Sequence, residues 1–481
     1  MLRARHPPRR PLLARPDAVT LFIECTHTYR SDLNTGIQRV VRNVLRNAAD
    51  SAARYGYAVE PVVLENNQLV LADLGQVLAD KSRGAPVDAS GRVRGFAQST
   101  WRLLLRVLAF LLPFAPVQRF LLASPDRFGL AWFVLLPAQA LRLIPRPKRT
   151  AEHYGPICLD DHARCDGSVL VLLDSSWTIP IWSSVERFKR RGGKVVGIIY
   201  DLIPITHPHT SMPNLTVAFR KWLQEHVRYT EAFIGILRST ADQVAQFVSA
   251  LSDKGEACRY RPAIDHFHLG SELDFVVLED APRLKIKRVF DAARHNFLMV
   301  GSFELRKNHS YVLDAFDAHW RRGGDAALVI IGRQAWKTEA FMERVTSHKQ
   351  FDRRLFLVRD ATDSELDYAY RSASALIIAS EIEGFGLPIV EGFQRGLPVL
   401  CSDIVVFREI ADGKATFFDL SHSSHLTETI TEFCRLHDVE QRNVRAPQSW
   451  ITWRESTDQL CAAITRALAR ETAPTTLTAE T

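Results

Sequence analysis

The stretch ALIIASEIEGFGLPIVEGFQRGLPVLCSD (375–403) predicts a buried strand, a glycine-bearing loop, a helix and a second strand. Pro388 stands where the helix should begin, since the first helical position needs no N–H donor. Gly396 should end the helix, because glycine readily adopts the left-handed conformation found at helix ends. A strand, a helix and a strand in this order form a unit of a parallel α/β sheet.

Two glutamates of this stretch are candidates for ligand binding. Glu383 lies in the loop at the carboxyl end of the first strand, and Glu391 lies in the first turns of the helix. Open α/β sheets bind ligands at this edge, and carboxylates can accept hydrogen bonds from the vicinal hydroxyls of a ribose or a hexose. The alternative is that Glu391 complements the helix dipole and that Glu383 is a solvated loop charge.

A second strand, loop and helix is predicted in FLMVGSFELRKNHSYVLDAF (297–316). Asn308 should cap this helix. Arg306 and Lys307 precede the cap and predict an anion site that a diphosphate would fit, because side-chain charge and helix N–H groups point the same way there. A solvated basic loop is the alternative.

Strands alternate with helical segments in two series. The first series comprises VTLFIECT (19–26), SVLVLLD (168–174), KVVGIIYD (194–201) and AFIGI (232–236). The second comprises NFLMVGS (296–302), AALVIIG (326–332), RLFLVRD (354–360), ALIIAS (375–380), LPVLCSD (397–403) and ATFFD (415–419). This pattern predicts two Rossmann-like, doubly wound parallel-sheet α/β domains facing a central cleft, at 18–285 and 286–449. The basic stretch APRLKIKR (281–288) is expected to be the hinge.

Four segments lie outside the two series. A basic, proline-rich arm (1–17) and a tail (471–481) are expected to be disordered, an amphipathic helix is expected at 450–470, and the arm lacks the apolar core of a secretory signal. Residues 96–147 form an apolar, arginine-rich insertion that lacks the ~20 uninterrupted apolar residues of a membrane-spanning helix. It fits an element lying in the membrane interface, where arginines reach lipid phosphates, or else an ordinary buried helical insertion.

Composition and charge limit the classes of function. The chain has 481 residues, 46% hydrophobic and 24% charged, as is ordinary for a two-domain α/β protein. Its net charge of +7 favours an anionic partner such as a phosphorylated substrate or lipid headgroups. No recognition module accompanies the charge, so nucleic-acid binding is not expected. The seven cysteines never stand as CxxC, which argues against a zinc site or a disulfide framework and fits a reducing cytosol.

Three motifs carry a family resemblance: G-S-F-E-x-R-K-N (301–308), E-G-F-G-L-P-x-x-E (383–391) and G-x-P-V (396–399). They resemble the retaining glycosyltransferases of family 4, which have the GT-B fold, and within that family those of O-antigen and exopolysaccharide assembly. The resemblance extends more loosely to TGIQRVVRN (35–43), LLDSSW (172–177) and IIYDLIPITHP (198–208). It implies a hexosyltransferase that acts with retention and whose last helix braces the first domain.

The resemblance also implies roles for particular residues. Arg306 and Lys307 match the pair that binds the donor diphosphate, and Glu391 matches the glutamate on the nucleotide ribose. Glu383 matches the catalytic-site glutamate that contacts donor-sugar hydroxyls beside the reaction centre. Gly36 matches the first-domain glycine that closes on the phosphates. Backbone is expected close to sugar and phosphate at Gly384, Phe385 and Gly386.

The first domain departs from the family at Tyr200, because several relatives carry a histidine at the end of this strand. The next residue, Asp201, could hydrogen-bond an acceptor or donor hydroxyl and is a candidate catalytic residue. His207 in the adjoining loop is an acceptor-side candidate or an ordinary loop histidine. Asp174 and Trp177 end a neighbouring strand and could shape the acceptor pocket or simply pack.

The expected function is transfer of a hexosyl group, in the first instance mannosyl from GDP-mannose, to a lipid-linked saccharide in surface polysaccharide synthesis. No metal is expected, since no strand-end DxD motif is present to hold a cation, and no cofactor is expected beyond the nucleotide-sugar substrate. The expected location is cytoplasmic, peripheral on the inner face of the cell membrane. A catalytically silent sugar-nucleotide-binding or scaffold subunit is the alternative. A dinucleotide oxidoreductase is excluded, because no strand is followed by G-x-G-x-x-G.

Overall fold

The computed structural model describes residues 19–31, 36–78, 159, 165–253, 262–271, 281–291, 293–335, 338–436 and 449–471. The predicted basic arm (1–17), the insertion (96–147) and the tail beyond residue 471 lie outside these residues. Both sheets of the described chain belong to one compact unit.

The first sheet has, within the described residues, the strand order β3-β2-β1-β4-β5-β6-β7. Its strands are β1 (Val19–Glu24), β2 (Tyr57–Glu65), β3 (Gln68–Leu71), β4 (Val169–Leu172), β5 (Lys194–Ile199), β6 (Ala232–Gly235) and β7 (Ala263–His266). Neighbouring strands are parallel except β2 and β3, which are antiparallel. Strand β4 is buried along its whole length, because helices cover both faces of a parallel sheet.

The second sheet has the order β10-β9-β8-β11-β12-β13 within the described residues, and its neighbouring strands are parallel. Its strands are β8 (Asn296–Val300), β9 (Ala327–Ile331), β10 (Leu355–Val358), β11 (Ala375–Ile378), β12 (Val399–Ser402) and β13 (Thr416–Phe418). The prediction of two parallel-sheet α/β domains is therefore confirmed.

Helices connect the strands of both sheets. The described helices of the first domain are α1 (Thr26–Arg30), α2 (Gly36–Ala53), α3 (Leu74–Leu78), α4 (Trp182–Arg190), α5 (Ile203–Thr206), α6 (Pro213–Tyr229) and α7 (Arg238–Asp253). In the second they are α8 (Leu284–Asp291), α9 (His309–Arg321), α10 (Glu339–Thr346), α11 (Asp363–Ser372), α12 (Leu387–Gln394), α13 (Val405–Ala411) and α14 (Ser423–Leu436), followed by α15 (Trp453–Glu471). No described helix is long and apolar enough to cross a bilayer.

Helix α15 packs on the first domain although it follows the second domain in sequence. Cys461 and Ile464 are buried in the same core cluster as Val44 of α2. Arg466 pairs with Asp265 of β7 at 3.0 Å. The chain therefore crosses back and ties the end of the sequence to the first sheet.

The sequence pattern misses three strands of the first sheet, β2, β3 and β7. Strand β2 is mostly half-exposed and carries Glu60 and Pro61 in its middle, so it shows neither a continuous apolar run nor a clean alternation. Strands β3 and β7 have four residues each, which is too short for a periodic signal. The predicted polar loop between β1 and α2 contains the short helix α1.

The stretch 281–288, predicted to be the hinge, runs into a helix in the structure. Its second half begins helix α8, which buries Ile286 and Phe290 against the second sheet's core. Arg283 also pairs with Glu365 of α11 at 2.6 Å. Because its contacts are with α11, this segment packs on the second domain.

Candidate active site

The carboxyl ends of the two sheets border one cleft within this unit. A cavity of about 580 Å³ in the cleft is lined by residues of both domains. Among them are the residues predicted for the donor and the candidate that follows β5: Gly36, Asp201, Arg306, Lys307, Glu383, Gly384, Phe385, Gly386 and Glu391. The structure thus brings together side chains that are far apart in sequence.

Glu383 lies between two cations at the end of β11. Its carboxylate accepts hydrogen bonds from Lys307 Nζ at 2.7 Å and from Arg306 Nη1 at 2.5 Å. Ser380 Oγ donates to the same carboxylate at 2.8 Å. Burial by itself would raise the pKa of Glu383, but the charges of Arg306 and Lys307 outweigh it and hold the pKa at about 2. Glu383 is therefore ionised at neutral pH and is not a solvated loop charge.

Arg306 and Lys307 lie on a single 3₁₀ turn, Leu305–Lys307, that follows β8. Lys307 crosses directly over Gly301, where a Cβ atom would stand 3.2 Å from the lysine side chain. Burial lowers the pKa of Arg306, yet the charges of Glu383 and Glu304 raise it well above the ordinary value. Carboxylates thus fix both cations in position.

Asn308 stands at the predicted N-cap position of helix α9, but the predicted capping hydrogen bond from its side chain is absent among the described residues. Its φ of 53° and ψ of 41° are left-handed, a conformation that asparagine tolerates better than most residues. Asn308 therefore serves to turn the chain from the 3₁₀ turn into α9.

Glu391 is fixed from both sides of the cleft. Its Oε2 accepts a hydrogen bond from the hydroxyl of Tyr370 at 2.7 Å, and its Oε1 accepts one from Nη1 of Arg39 at 2.9 Å. Burial and the charge of Glu391 raise the pKa of Tyr370 well above its ordinary value, so the hydroxyl keeps its proton. These contacts give Glu391 a role beyond that of complementing the dipole of α12.

The glycines of the loop 383–386 permit close approach. A Cβ atom on Gly384 would stand 2.9 Å from the carbonyl oxygen of Tyr200, so this glycine lets the loop pass against the end of β5. Gly386 has a φ of 108°, which side chains rarely adopt, and precedes α12. Pro388 is the second residue of α12, one place later than predicted, and Gly396 follows the helix with a φ of 63°.

A second cavity of about 230 Å³ adjoins the first. Asp201 and Arg306 line both cavities, and the remaining walls of the second are largely aromatic and apolar, including Trp177, Phe219 and Trp222. Asp201 Oδ1 accepts the N–H of Ile203 at 2.9 Å, and burial raises the pKa of Asp201 above its ordinary value. The arrangement can hold a ligand with an apolar face next to a carboxylate.

Asp174 and His207 have local partners in the structure. Asp174 lines the second cavity, but its Oδ2 accepts the backbone N–H of Thr28 at 2.6 Å and its Oδ1 accepts that of Ser175 at 2.7 Å. The carboxylate therefore anchors helix α1. The ring of His207 lies 3.0 Å from Thr206 Oγ1 and lines neither of these two cavities, as an ordinary loop histidine would.

Residues 281–446 match the family model described as Glycosyl transferases group 1. This region contains Arg306, Lys307, Glu383 and Glu391. It covers the second sheet and the helices around it.

Curated relatives match a larger part of the chain. The serotype-specific mannosyltransferase WbdA of Escherichia coli is 30% identical over 284 residues, which are 58% of this chain and 34% of the relative. The O-antigen chain mannosyltransferase RfbU of Salmonella typhimurium is 22% identical over 245 residues, 51% of this chain and 62% of the relative. The chain therefore matches about a third of the length of WbdA.

Solved structures show the fold. The sucrose-phosphate synthase of Thermosynechococcus elongatus has a TM-score of 0.51 at 11% identity, over 94% of this chain and 100% of its own. The α,α-trehalose 6-phosphate synthase of Burkholderia multivorans has a TM-score of 0.54 at 11% identity, over 95% of this chain and 100% of its own. The predicted GT-B fold is confirmed.

The sequence pattern misses Arg39 and Tyr370, which contact Glu391, and Glu24, which lines neither cavity. Arg39 and Tyr370 reach Glu391 from helices, where an arginine and a tyrosine are usually read as surface and core. Glu24 ends β1 beside Asp174, and burial together with the charge of Asp174 raises the pKa of Glu24 to about 8. Its position at a strand's carboxyl end is the one signal that could have revealed it. Among the described residues, no group of three or more His, Cys, Asp or Glu side chains could hold a metal ion.

Proposed function

We propose that the protein is a glycosyltransferase that moves a hexosyl group, in the first instance mannosyl, from a nucleoside diphosphate sugar to a saccharide acceptor. The observation that carries this proposal is the Glu383 carboxylate held by Arg306 and Lys307, in one cavity with Asp201 of the other domain. The family match over the second domain and the mannosyltransferase relatives support it.

The first cavity has complementary groups for each part of such a donor. Arg306 and Lys307 supply positive charge for the diphosphate, and Glu391 can accept hydrogen bonds from the ribose hydroxyls. Glu383 can accept hydrogen bonds from the hydroxyls of the donor sugar when the two cations turn to the phosphates. Gly384 and Gly386 leave room for the donor to approach the backbone. We propose GDP-mannose as the donor because the relatives are mannosyltransferases.

The proposed reaction breaks the bond between C1 of the sugar and the diphosphate oxygen, and forms a bond between C1 and an acceptor hydroxyl oxygen. The proton of that hydroxyl passes to the departing nucleoside diphosphate. Arg306 and Lys307 stabilise the negative charge that grows on this leaving group, and an interaction that strengthens in the transition state lowers the barrier. We propose retention of anomeric configuration on the family 4 resemblance, with these cations in the role that a metal ion has in other transferases.

The second cavity is the proposed place of the acceptor. It adjoins the first at Asp201 and Arg306, so a sugar within it would lie next to the donor's reacting carbon. The ring of Trp177 can pack on the apolar face of a sugar, while Asp201 accepts a hydrogen bond from a hydroxyl. We propose a lipid-linked saccharide at the inner face of the cytoplasmic membrane, with the basic insertion at 96–147 as the contact with lipid.

The test of this function measures sugar transfer directly. The purified full chain is incubated with membranes and a panel of radiolabelled GDP-, UDP- and dTDP-sugars, and label is followed into the lipid extract. A parallel reaction contains the Glu383→Ala variant. Label from one donor, lost in the variant, is the expected result and names the sugar.

Two results would contradict the proposal. Transfer at the wild-type rate by Glu383→Ala would remove Glu383 from the mechanism. Tight nucleotide-sugar binding without transfer or donor hydrolysis, in the presence of competent membranes, would identify a silent binding subunit instead.

A further inference from the structure

Arg39 is a first-domain side chain that reaches into the donor cavity. It lies in the first turn of helix α2, which begins at Gly36, and both residues line the cavity. Its Nη1 lies 2.9 Å from Oε1 of Glu391 on helix α12 of the second domain. The side chain of Arg39 is 15% exposed and that of Glu391 is 3% exposed, so the two charges form a largely buried ion pair across the cleft.

A buried ion pair of this kind contributes little to folding stability by itself. Removing two charges from water costs about as much free energy as their attraction returns, and one neutral substitution leaves the other charge unpaired. Glu391 already has a partner in its own domain, the hydroxyl of Tyr370. We therefore relate the contact between Arg39 and Glu391 to ligand binding in the cavity, and not to the stability of either domain.

The charged side chains of the cavity follow one pattern. Arg306 and Lys307 are paired with Glu383, and Arg39 is paired with Glu391. In the proposed function, sugar hydroxyls donate hydrogen bonds to Glu383 and ribose hydroxyls donate to Glu391. These hydroxyls carry no charge. A donor's diphosphate does bring negative charge, and it would lie among the three cations that the carboxylates now hold.

We propose that Arg39 is a third cationic ligand of the donor's diphosphate, contributed by the first domain, and that its bridge to Glu391 holds it in place until a donor binds. This inference rests on the proposed function. A guanidinium has five N–H donors in a planar fork, so Arg39 can bind a phosphate oxygen while a ribose shares Glu391. The N-terminal end of helix α2 also favours an anion, because its free N–H groups point toward a ligand and no acidic residue lies in its first turn.

The experiment compares nucleotide binding by four variants of the full chain. Arg39→Gln removes the charge, Arg39→Lys keeps it, and Tyr370→Phe removes the other hydrogen bond to Glu391. Arg46→Gln, on the same helix but not among the residues that line the cavity, is the matched control. Affinities for GDP and UDP are measured by calorimetry, and those for guanosine and uridine by ligand-observed NMR.

We expect Arg39→Gln to weaken diphosphate binding by about tenfold or more and to leave nucleoside binding unchanged, since only the diphosphate carries charge. Arg39→Lys should recover part of the loss. Tyr370→Phe should weaken nucleoside and diphosphate binding alike, because it disturbs the ribose carboxylate. Arg46→Gln should match the wild type.

Three outcomes overturn the inference. Equal losses for nucleoside and diphosphate in Arg39→Gln would mean that Arg39 acts through Glu391 alone. Unchanged diphosphate affinity would mean a purely structural bridge, and tighter binding would mean that Arg39 competes with the donor. If the wild-type protein binds neither GDP nor UDP, the proposed function itself fails. That result is distinct from a failure of the inference about Arg39, which would appear as a difference, or its absence, between the variants and the wild type.

Discussion

The Nζ of Lys307 lies 2.7 Å from Oε1 of Glu383, although the two residues follow different strands of the second sheet. These strands, β8 and β11, are neighbours in the sheet, so their carboxyl ends place the two side chains together. Each charge compensates the other in a buried position. In the proposed function, the donor's diphosphate would draw Lys307 away from Glu383.

This relationship predicts opposite effects on binding and on transfer for Glu383→Gln. The amide no longer holds Arg306 and Lys307, so nucleoside diphosphate affinity should be unchanged or higher. Transfer should fall by at least about 100-fold, because the contact with the donor sugar's hydroxyls loses its charge beside the reaction centre. Calorimetry with GDP and initial-rate assays on the same preparation measure the two effects. A parallel loss of affinity and rate would show that Glu383 acts only by holding the fold.

Because the pKa of Glu383 is about 2, its ionisation should not limit activity at mildly acidic pH. A profile of kcat/KM between pH 5 and 9, which reports groups of the free enzyme, should show no acid limb that disappears in Glu383→Gln. An acid limb near pH 5 that vanishes in this variant would contradict the ion pairs seen in the cavity.

A second contact between the domains lies at the start of helix α7. The carboxylate of Glu409, on α13, accepts the backbone N–H groups of Arg238 at 2.7 Å and Ser239 at 2.9 Å, and lies 3.3 Å from Nε2 of His268. Burial alone would raise the pKa of Glu409, but the hydrogen bonds from His268 and the two N–H groups hold it at about 2. Glu409 thus caps a helix of the other domain.

Glu409→Gln should lower the free energy of unfolding by roughly 1–2 kcal/mol, the usual effect of losing a charged cap. The stability that Glu409 contributes is complete above its unfolded pKa of 4.5 and is lost as pH falls toward 2. Urea unfolding at pH 7 and at pH 3 should therefore show a difference between variant and wild type that shrinks at low pH. Glu432→Gln, which breaks an exposed pair with Arg435, is the control and should change little.

The grouping of Arg306, Lys307 and Glu383 in one cavity was predictable because it follows a rule of position. Arg306 and Glu383 lie in the segments that follow strands β8 and β11, and the carboxyl ends of parallel strands meet at one edge. The contact of Arg39 with Glu391 depends on how helices of the two domains meet, and that of Tyr370 depends on how two helices of the second domain pack, which no local pattern contains. The capping prediction for Asn308 was wrong for a local reason. Asn308 follows a 3₁₀ turn and has a left-handed backbone, whereas the capping rule assumes an extended one.

Substitution of Trp177 can show whether its ring binds an acceptor or only packs against its neighbours. Its ring is half-buried, with its centroid 5.7 Å from that of Phe219 and 5.9 Å from that of Trp222. Trp177→Ala should raise the acceptor KM by about tenfold, the effect expected from losing one aromatic contact, and leave donor hydrolysis unchanged. Trp177→Phe should retain most of the acceptor affinity. A lower melting temperature with an unchanged acceptor KM would favour packing as the role of Trp177.

The raised pKa of Glu24 should make the stability of the protein depend on pH. Its side chain is fully buried, and its Oε2 has no hydrogen-bond partner among the described residues. Burial and the nearby charge of Asp174 raise the pKa of Glu24 from 4.5 to about 8. The folded protein therefore binds more protons than the unfolded chain between these two values.

Stability should consequently fall as pH rises from 4.5 to 8, by on the order of 1 kcal/mol per pH unit from this group. Glu24→Gln cannot ionise, so its free energy of unfolding should be close to that of the wild type at pH 5 and exceed it increasingly up to pH 8. Urea unfolding at several pH values measures this difference, with Glu65→Gln at the exposed end of β2 as the control. A difference that does not change with pH would show that Glu24 is ionised in the folded protein, so that α1 and Asp174 must accommodate a second buried negative charge.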